Sequence, residues 1–116
     1  MQRRHRLSRS RDFDAVYRRG QSVSTRFLVL YWFDRGEEAG ESARVGIAVP
    51  RKVGGAVVRN RVKRLLREAW PVLLADVPPG RDFVVVARPG FAEAAEANGL
   101  EWVRERVREA LGKASA

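Results

Sequence analysis

The hydrophobic positions of the chain change their spacing several times, and each spacing predicts a different element. Near the amino terminus they recur three and four residues apart, as on one face of a helix. Ser10 is suited to cap this helix, Arg11 would begin it and Gly20 would end it. The apolar positions of this predicted helix are Phe13, Val16 and Tyr17.

Three later segments are mostly apolar, which predicts strands. Residues 23–33 are rich in β-branched and aromatic residues, and residues 27–33 are too uniformly apolar for a half-exposed strand. We therefore expect a central strand that is covered on both faces, or covered on one and used for binding on the other. Residues 43–49 predict a second strand, antiparallel to the first because the connection is short, and Pro50 would stop it. Residues 82–87 predict a short buried strand.

Two more helices are predicted at residues 56–69 and 100–111, and the pattern is compatible with a shorter helical turn at 91–97. The element order is then helix, strand, strand, helix, strand, helix, which predicts a small α+β domain with helices against one sheet. We interpret the last helix as a packing element, because its charges are spaced to pair along its exposed side. The predicted pairs are Glu101 with Arg104 and Glu105 with Arg108.

Length and composition limit the architecture. The chain has 116 residues, of which 45% are hydrophobic, so we expect one domain over residues 1–116 with a small core and a basic arm at residues 1–9. No run of 18 apolar residues is present, and the amino terminus lacks the apolar segment of a secretory signal. A cytoplasmic location is therefore the expectation.

The charge balance points to a polyanionic partner. Lys and Arg total 23 against 14 Asp and Glu, giving a net charge of +9, and so basic a domain suggests nucleic-acid binding. Most of the cations are arginines, whose planar forks bind phosphate and stack on bases. The absence of cysteine excludes disulfides and thiolate zinc sites, and nothing supports a catalytic triad around the single histidine, His5.

The predicted helix at 56–69 divides into two faces when it is wound at about 100° per residue. One face is apolar and suits the sheet: Val58, Val62, Leu65, Leu66 and Ala69. The other face is cationic, with Arg61 on its flank: Arg59, Asn60, Lys63, Arg64 and Arg67.

Like charges one turn apart repel each other, and this helix carries several such pairs. Only Glu68 offers local relief, to Arg64. The unrelieved face favours a nucleic acid that neutralises it. A merely solvated face and a membrane-surface helix are the alternatives, although the apolar face is needed by the core and lacks bulky aromatic residues.

The residues around this helix resemble a known family. Residues 57–64 read Val-Val-Arg-Asn-Arg-Val-Lys-Arg and follow Arg-Lys-Val-Gly at 51–54, which resembles the "RNR" signature of the bacterial ribonuclease P protein family. The resemblance covers about residues 3–90. Pro50 and Gly55 depart from the polar or basic residues that the family often has there. Further matching blocks, in order, are Arg6-Leu7, Asp12-Phe13, Val16-Tyr17, Gly20, Arg44-Val45-Gly46 and the strand at 84–88.

The resemblance implies a mixed sheet with a left-handed βαβ crossover, like that in the second domain of ribosomal protein S5, and two RNA-binding surfaces. One surface is the basic helix with its leading loop, which we expect to lie near the catalytic RNA: Arg51, Lys52, Arg59, Asn60, Arg61, Lys63, Arg64 and Arg67. The other is a cleft between the first helix and the sheet, for the single-stranded leader of precursor tRNA: Phe13, Tyr17 and Tyr31.

The leader cleft also makes physical sense, because single-stranded RNA is commonly held by aromatic stacking beside a cationic track. Phe13 suits core packing equally well, whereas the hydroxyl of Tyr31 would need a partner in a dry core. Leu28, Leu30 and Phe33 are core candidates. The three tryptophans are interpreted as packing residues: Trp32, Trp70 and Trp102.

The resemblance also implies a reaction. The chain would be the protein subunit of an endoribonuclease whose RNA subunit hydrolyses the phosphodiester with Mg²⁺ held mainly by that RNA. The partners would be this catalytic RNA and precursor tRNA, with no membrane and no obligate protein partner. We expect no catalytic or metal-binding residue in the chain, because its acidic residues are dispersed rather than clustered.

Three other functions remain open from the residues alone. A non-catalytic ribosomal or rRNA-binding protein would bind structured RNA without stimulating leader cleavage. A stand-alone nuclease would cut without an RNA partner and would need the carboxylate cluster that the sequence lacks. A DNA-binding regulator would prefer duplex DNA, but no helix-turn-helix spacing precedes the basic helix.

Overall fold

A computed structural model of the chain describes residues 6–35, 43–77 and 80–115. Residues 1–5 of the expected basic arm, including His5, and most of the turn expected after residue 34 lie outside the described residues. The helices are α1 (Ser10–Arg19), α2 (Ala56–Ala69) and α3 (Phe91–Ser115). The strands are β1 (Gln21–Ser24), β2 (Leu28–Asp34), β3 (Arg44–Ala48) and β4 (Arg81–Ala87).

The four strands form one mixed sheet in the order β1-β2-β4-β3. Strand β2 pairs antiparallel with β1 on one side and with β4 on the other, whereas β3 pairs in parallel with β4. Because β3 and β4 point the same way, the chain must cross over between them, and α2 lies in that crossover. The predicted α+β class, mixed sheet and βαβ unit are confirmed.

The prediction of one long strand at 23–33 was wrong, because the segment folds as a hairpin. The backbone N–H of Thr25 donates to the carbonyl of Leu28 at 2.8 Å, and the N–H of Leu28 donates to the Thr25 hydroxyl at 3.1 Å. These bonds reverse the chain between β1 and β2. The turn begins at Ser24, Thr25 and Arg26, the polar residues that interrupt the apolar segment, so the sequence carried a signal that the prediction of one strand did not use.

The second predicted strand runs antiparallel to β2, as expected, but it is not β2's neighbour. Strand β4 lies between β2 and β3 and pairs with both. This insertion places the most fully buried strand of the sheet at its centre. Only Arg81 and Val86 of β4 are not fully buried.

One face of the sheet is covered by α2 and α3 and carries the main core. Val62, Leu66 and Ala69 of α2 pack there, as predicted from the apolar side of that helix, and Val58 and Leu65 pack at its margin. The three tryptophans are packing residues, as predicted. Trp70 is fully buried and lies against Phe83, Trp102 lies between Phe27 and Phe91, and Trp32 packs at the margin of the core.

The other face of the sheet is covered by α1. A smaller apolar cluster forms there around Leu7, Val16 and Val84. Phe13 and Tyr31 pack against this cluster without being fully buried. The second face is thus left open beside α1, and its aromatic residues lie at the margin of a small core.

The ends of the helices differ from prediction in three details. Ser10 is the first residue of α1, and Arg9 occupies the cap position without a side-chain cap bond. Gly20 ends α1 in an extended conformation, and it is glycine for a steric reason: a Cβ there would lie 2.3 Å from the carbonyl oxygen of Trp32. The predicted pieces at 91–97 and 100–111 form α3, which is interrupted at Gly99 by a φ of 84°.

Candidate nucleic-acid interface

Helix α1 crosses the open face of the sheet and contacts three strands in succession. The ring of Phe13 lies over Gly46 of β3, where a Cβ would come within 2.5 Å of Phe13 Cζ. One turn later, Val16 packs on Val84 of β4. A glycine inside a strand pattern signals a close approach of this kind, so Gly46 was a readable clue to where Phe13 sits.

Tyr17 continues this line onto β2. Its ring centroid lies 4.9 Å from that of Tyr31, and the rings meet edge to face at 87°. Phe13 is the other aromatic neighbour of Tyr17, with ring centroids 6.4 Å apart. Burial and, to a lesser degree, the neighbouring Tyr31 raise the pKa of Tyr17 above its ordinary value. The three predicted cleft residues are therefore one contiguous aromatic cluster.

The aromatic cluster borders an uncovered strip of the sheet. Val29, Val86 and Ala48 are paired across β2, β4 and β3, all on the α1 face, and none is fully buried. Winding α1 at about 100° per residue puts Phe13 and Tyr17 on one side of Val16, and Asp12 on the other. Asp12 contacts Arg44, which is at the opposite end of β3 from Ala48. The side of α1 that carries Phe13 and Tyr17 therefore faces the strip. Tyr17 is 41% exposed there.

The strip leads to the basic loop. Ala48 is the last residue of β3, and after Val49 and Pro50 a 3₁₀ turn follows at Arg51–Val53. Val53 anchors this turn by burial, whereas Arg51 and Lys52 are exposed. The loop cations predicted to bind RNA thus lie at the end of the open strip, between it and α2.

Helix α2 presents the predicted cationic face. Asn60, Arg61 and Arg64 are exposed, while Arg59, Lys63 and Arg67 are half-buried. Arg61, on the flank, lies 3.7 Å from Glu96 of α3. Glu68 makes no ion pair within the part of the chain that the structure describes, so the relief expected for Arg64 is absent there.

The contrast with α3 is direct. In α3, Arg104 pairs with Glu101, and Arg108 pairs with both Glu101 and Glu105. Both predicted pairs are present, and α3 has two further contacts, Arg108 with Glu101 and Arg106 with Glu109. Helix α2 has five basic residues and one acidic residue over its length. Its positive charge is therefore mostly unneutralised and can attract an external anion. Val57, which is 73% exposed, adds an apolar patch beside Asn60 and Arg64.

Arg6 is a cation that sequence reasoning did not assign to the interface. The chain before α1 runs along the outer edge of β3, where Leu7 N–H donates to the Val45 carbonyl at 2.8 Å. This contact brings Arg6 close to Arg67 of α2. Burial, and then the charge of Arg6, lower the pKa of Arg67. No local signal could have shown this contact, because 61 positions separate the two residues in the sequence.

Among the residues that the structure describes, no three His, Asp or Glu side chains lie together in a way that could hold a metal ion. Over the same residues, no helix has the length and apolar character needed to cross a membrane.

Comparison with known proteins gives a consistent result. The family model described as Ribonuclease P matches residues 1–115. The chain is 43% identical over 115 residues to the ribonuclease P protein component of Brevibacillus brevis, covering 98% of this chain and 86% of that protein.

Solved structures agree with this match. The fold is similar to that of the RNase P protein from Staphylococcus aureus, with a TM-score of 0.80, 29% identity, and coverage of 95% of this chain and 94% of that one. It is also similar to the RNase P protein from Thermotoga maritima, with a TM-score of 0.78, 33% identity, and coverage of 91% and 94%.

Proposed function

The chain belongs to the ribonuclease P protein family, and on that premise we propose that it binds the catalytic RNA of ribonuclease P, holds the single-stranded 5′ leader of precursor tRNA and promotes removal of that leader. The observation that carries this proposal is the open aromatic cleft of Phe13, Tyr17 and Tyr31, which leads to the basic loop. A core would bury these rings, but Tyr17 is 41% exposed.

The cleft suits an extended strand rather than a folded RNA. Tyrosine and phenylalanine faces stack on any base, so they hold a leader of variable sequence. The strip beside them is lined by the aliphatic side chains of Val29 and Val86, which can pack against bases and sugars. Arg51 and Lys52 at its end can pair with the phosphates of the emerging strand.

Helix α2 is the surface proposed for the catalytic RNA. Its exposed cations are not neutralised from within the described part of the chain, apart from the long contact of Arg61 with Glu96. Folded RNA presents closely spaced phosphates, and a row of Arg and Lys side chains on one helix matches such a surface. The relatives compared are ribonuclease P proteins, so none of them supports the ribosomal alternative.

We place the catalytic centre and its Mg²⁺ in the RNA partner. Two-metal phosphodiester hydrolysis needs clustered carboxylates, whereas several carboxylates of the described residues are engaged in ion pairs with arginines. Asp82 is buried between Arg35 and Arg44, and Glu101 and Glu105 pair along α3. The protein's own part is then to hold the leader and to neutralise phosphate, and no step runs through a metal bound by the protein.

The experiment that tests this function is cleavage of a leader-bearing precursor tRNA at low Mg²⁺. Protein alone, catalytic RNA alone and the two together are compared. We expect efficient cleavage only when both are present. Cleavage by the protein alone would show a protein active site, and tight RNA binding without stimulation would favour the ribosomal alternative.

A further inference from the structure

A basic cavity lies at the outer edge of β3, between the chain that precedes α1 and helix α2. Its volume is about 280 Å³, and its polar lining is Arg6, Ser8 and Arg67. Phe13, Leu7 and Ile47 form part of its apolar wall. Phe13 also belongs to the aromatic cleft, so the cavity joins the cleft to the cationic helix.

The two arginines of this cavity are held together without a counter-charge. Neither makes an ion pair within the described residues, and the positive charge of Arg6 is one of the causes that lower the pKa of Arg67. Two cations that repel each other are stabilised when an anion comes between them. The backbone bond from Leu7 to Val45 fixes the main chain next to Arg6 at the edge of β3, on the same cavity as Arg67.

Two other basic cavities differ in this respect. The cavity beside Arg81 also contains Asp34, and the cavity beside Arg18 also contains Asp14. A carboxylate in the lining competes with an incoming phosphate for the same guanidinium groups. The cavity at Arg6 and Arg67 has no acidic residue in its lining, and its apolar wall leaves room for a ribose or a base beside the anion.

We propose that Arg6 and Arg67 clamp a single phosphate of an RNA strand at the edge of β3, with the adjoining sugar or base against Phe13. This subsite rests on the proposed function and deepens it. Phe13 belongs to both the leader cleft and the cavity, so the subsite extends the cleft as far as α2. The phosphate belongs either to the leader or to the catalytic RNA, and both present the same chemistry to the two guanidinium groups.

The test uses the reconstituted holoenzyme with four variants of the protein: Arg6→Gln, Arg67→Gln, the double variant, and Arg108→Gln as a control. Arg108 lies on α3, on the opposite side of the sheet from the cleft, and its removal changes the net charge by the same amount. Three affinities are measured over a range of salt: for precursor tRNA with an eight-nucleotide leader, for mature tRNA, and for the catalytic RNA.

Each single substitution should weaken one of these interactions by roughly tenfold, the loss expected for a hydrogen bond to a charged group. The double variant should lose little more than the worse single variant, because both side chains serve one phosphate. The slope of the logarithm of affinity against the logarithm of salt concentration should become shallower by roughly 0.7 in the single and the double variants alike. This change corresponds to the loss of one single-strand phosphate contact. A loss of about a hundredfold in the double variant, the product of two tenfold losses, would mean two separate contacts and overturn the shared clamp.

The three affinity measurements distinguish the two possible sources of the phosphate. A loss confined to leader-bearing precursor assigns the phosphate to the leader, and a loss in affinity for catalytic RNA assigns it to that RNA. Variants that match Arg108→Gln in all three affinities would overturn the subsite. If the unsubstituted holoenzyme fails to prefer leader-bearing precursor over mature tRNA, it is the leader-binding function itself that fails.

Folding is checked separately. Since each substitution removes a repulsion, the melting temperature of the single variants should not fall below that of the unsubstituted protein. Arg67→Lys provides a second route, because it keeps the charge and loses the fork. It should bind more weakly than the unsubstituted protein and more tightly than Arg67→Gln. Equal affinity of Arg67→Lys and Arg67→Gln would contradict a charged clamp.

Discussion

The guanidinium of Arg44 donates two hydrogen bonds to the buried carboxylate of Asp82, from Nε to Oδ1 at 2.8 Å and from Nη2 to Oδ2 at 2.7 Å. The two residues are register partners on the parallel strands β3 and β4. Arg35 approaches the same carboxylate at 3.1 Å, and Arg44 also lies 3.8 Å from Asp12 of α1. This network ties the helix that borders the cleft to the centre of the sheet.

Asp82→Asn should therefore destabilise the protein and loosen α1. The substitution leaves two arginines without their shared carboxylate in a mostly buried place. Breaking a buried pair from one side costs about 3–5 kcal/mol, and we expect roughly 2–4 kcal/mol here because the arginines keep some contact with solvent. Chemical denaturation measures the loss. Asp14→Asn, an exposed carboxylate on α1, is the control and should change stability by less than about 0.5 kcal/mol.

Gly46→Ala should displace Phe13 from the sheet. The new Cβ would lie 2.5 Å from Phe13 Cζ and 3.2 Å from Leu7 Cβ, so the ring must move. Overpacking of this kind costs about 1–3 kcal/mol, and the affinity of the holoenzyme for leader-bearing precursor should fall with it. Adding Phe13→Leu to Gly46→Ala should recover part of the stability, whereas a Gly46→Ala protein as stable as the parent would disprove the close contact.

Gly55→Ala is the matched control for Gly46. No atom lies within 4 Å of the position that its Cβ would take, and its φ of -71° is open to any residue. Its stability should stay within about 0.5 kcal/mol of the parent protein.

Tyr17 should ionise at higher pH than an ordinary tyrosine, first because it is partly buried and second because Tyr31 is near. These are the two tyrosines of the chain, so tyrosinate absorbance of Tyr31→Phe reports Tyr17 alone. Its pKa should lie above the ordinary value of about 10 and below the Tyr17 value in the parent protein. A titration at or below the ordinary value would contradict the packed edge-to-face pair.

The same shift predicts how stability depends on pH. The folded state favours the neutral phenol of Tyr17, so its contribution is fully present below the pKa of about 10 of the unfolded chain and is lost as pH rises through the higher folded pKa. Denaturation measured across this window should show a fall that Tyr17→Phe reduces. An identical fall in parent and variant would assign it to other groups.

Arg64→Gln tests the cationic face of α2 with little disturbance to packing, because the side chain is exposed. The affinity for the catalytic RNA should fall, and the slope of its logarithm against the logarithm of salt concentration should decrease by roughly 0.7–0.9. Arg108→Gln on α3 again serves as the control of equal charge. Equal slopes for the two variants would mean that α2 is not the RNA-binding face.

The bounds of an element were predictable where its apolar and charged positions follow a regular period. The bounds of α2 matched the prediction residue for residue, because its apolar and charged positions follow the helical period and Gly55 and Pro71 flank it. The split of residues 23–33 into a hairpin was missed although Ser24, Thr25 and Arg26 interrupt the apolar residues, because a single long strand can also carry polar residues on an exposed face. The place of β4 between β2 and β3 depends on pairing across the whole chain and leaves no local trace.

The sequence by itself determined the elements that repeat a period, the amphipathic division of α2, the cationic character of the surface and, through the Arg-Asn-Arg block, the family. Only the tertiary structure decided which distant residues meet. It set Phe13 over Gly46, Tyr17 against Tyr31, and Arg6 beside Arg67. The physical reason is that periodicity records which side of an element is buried, whereas contacts between elements depend on strand order and crossing geometry, which arise when the whole chain packs.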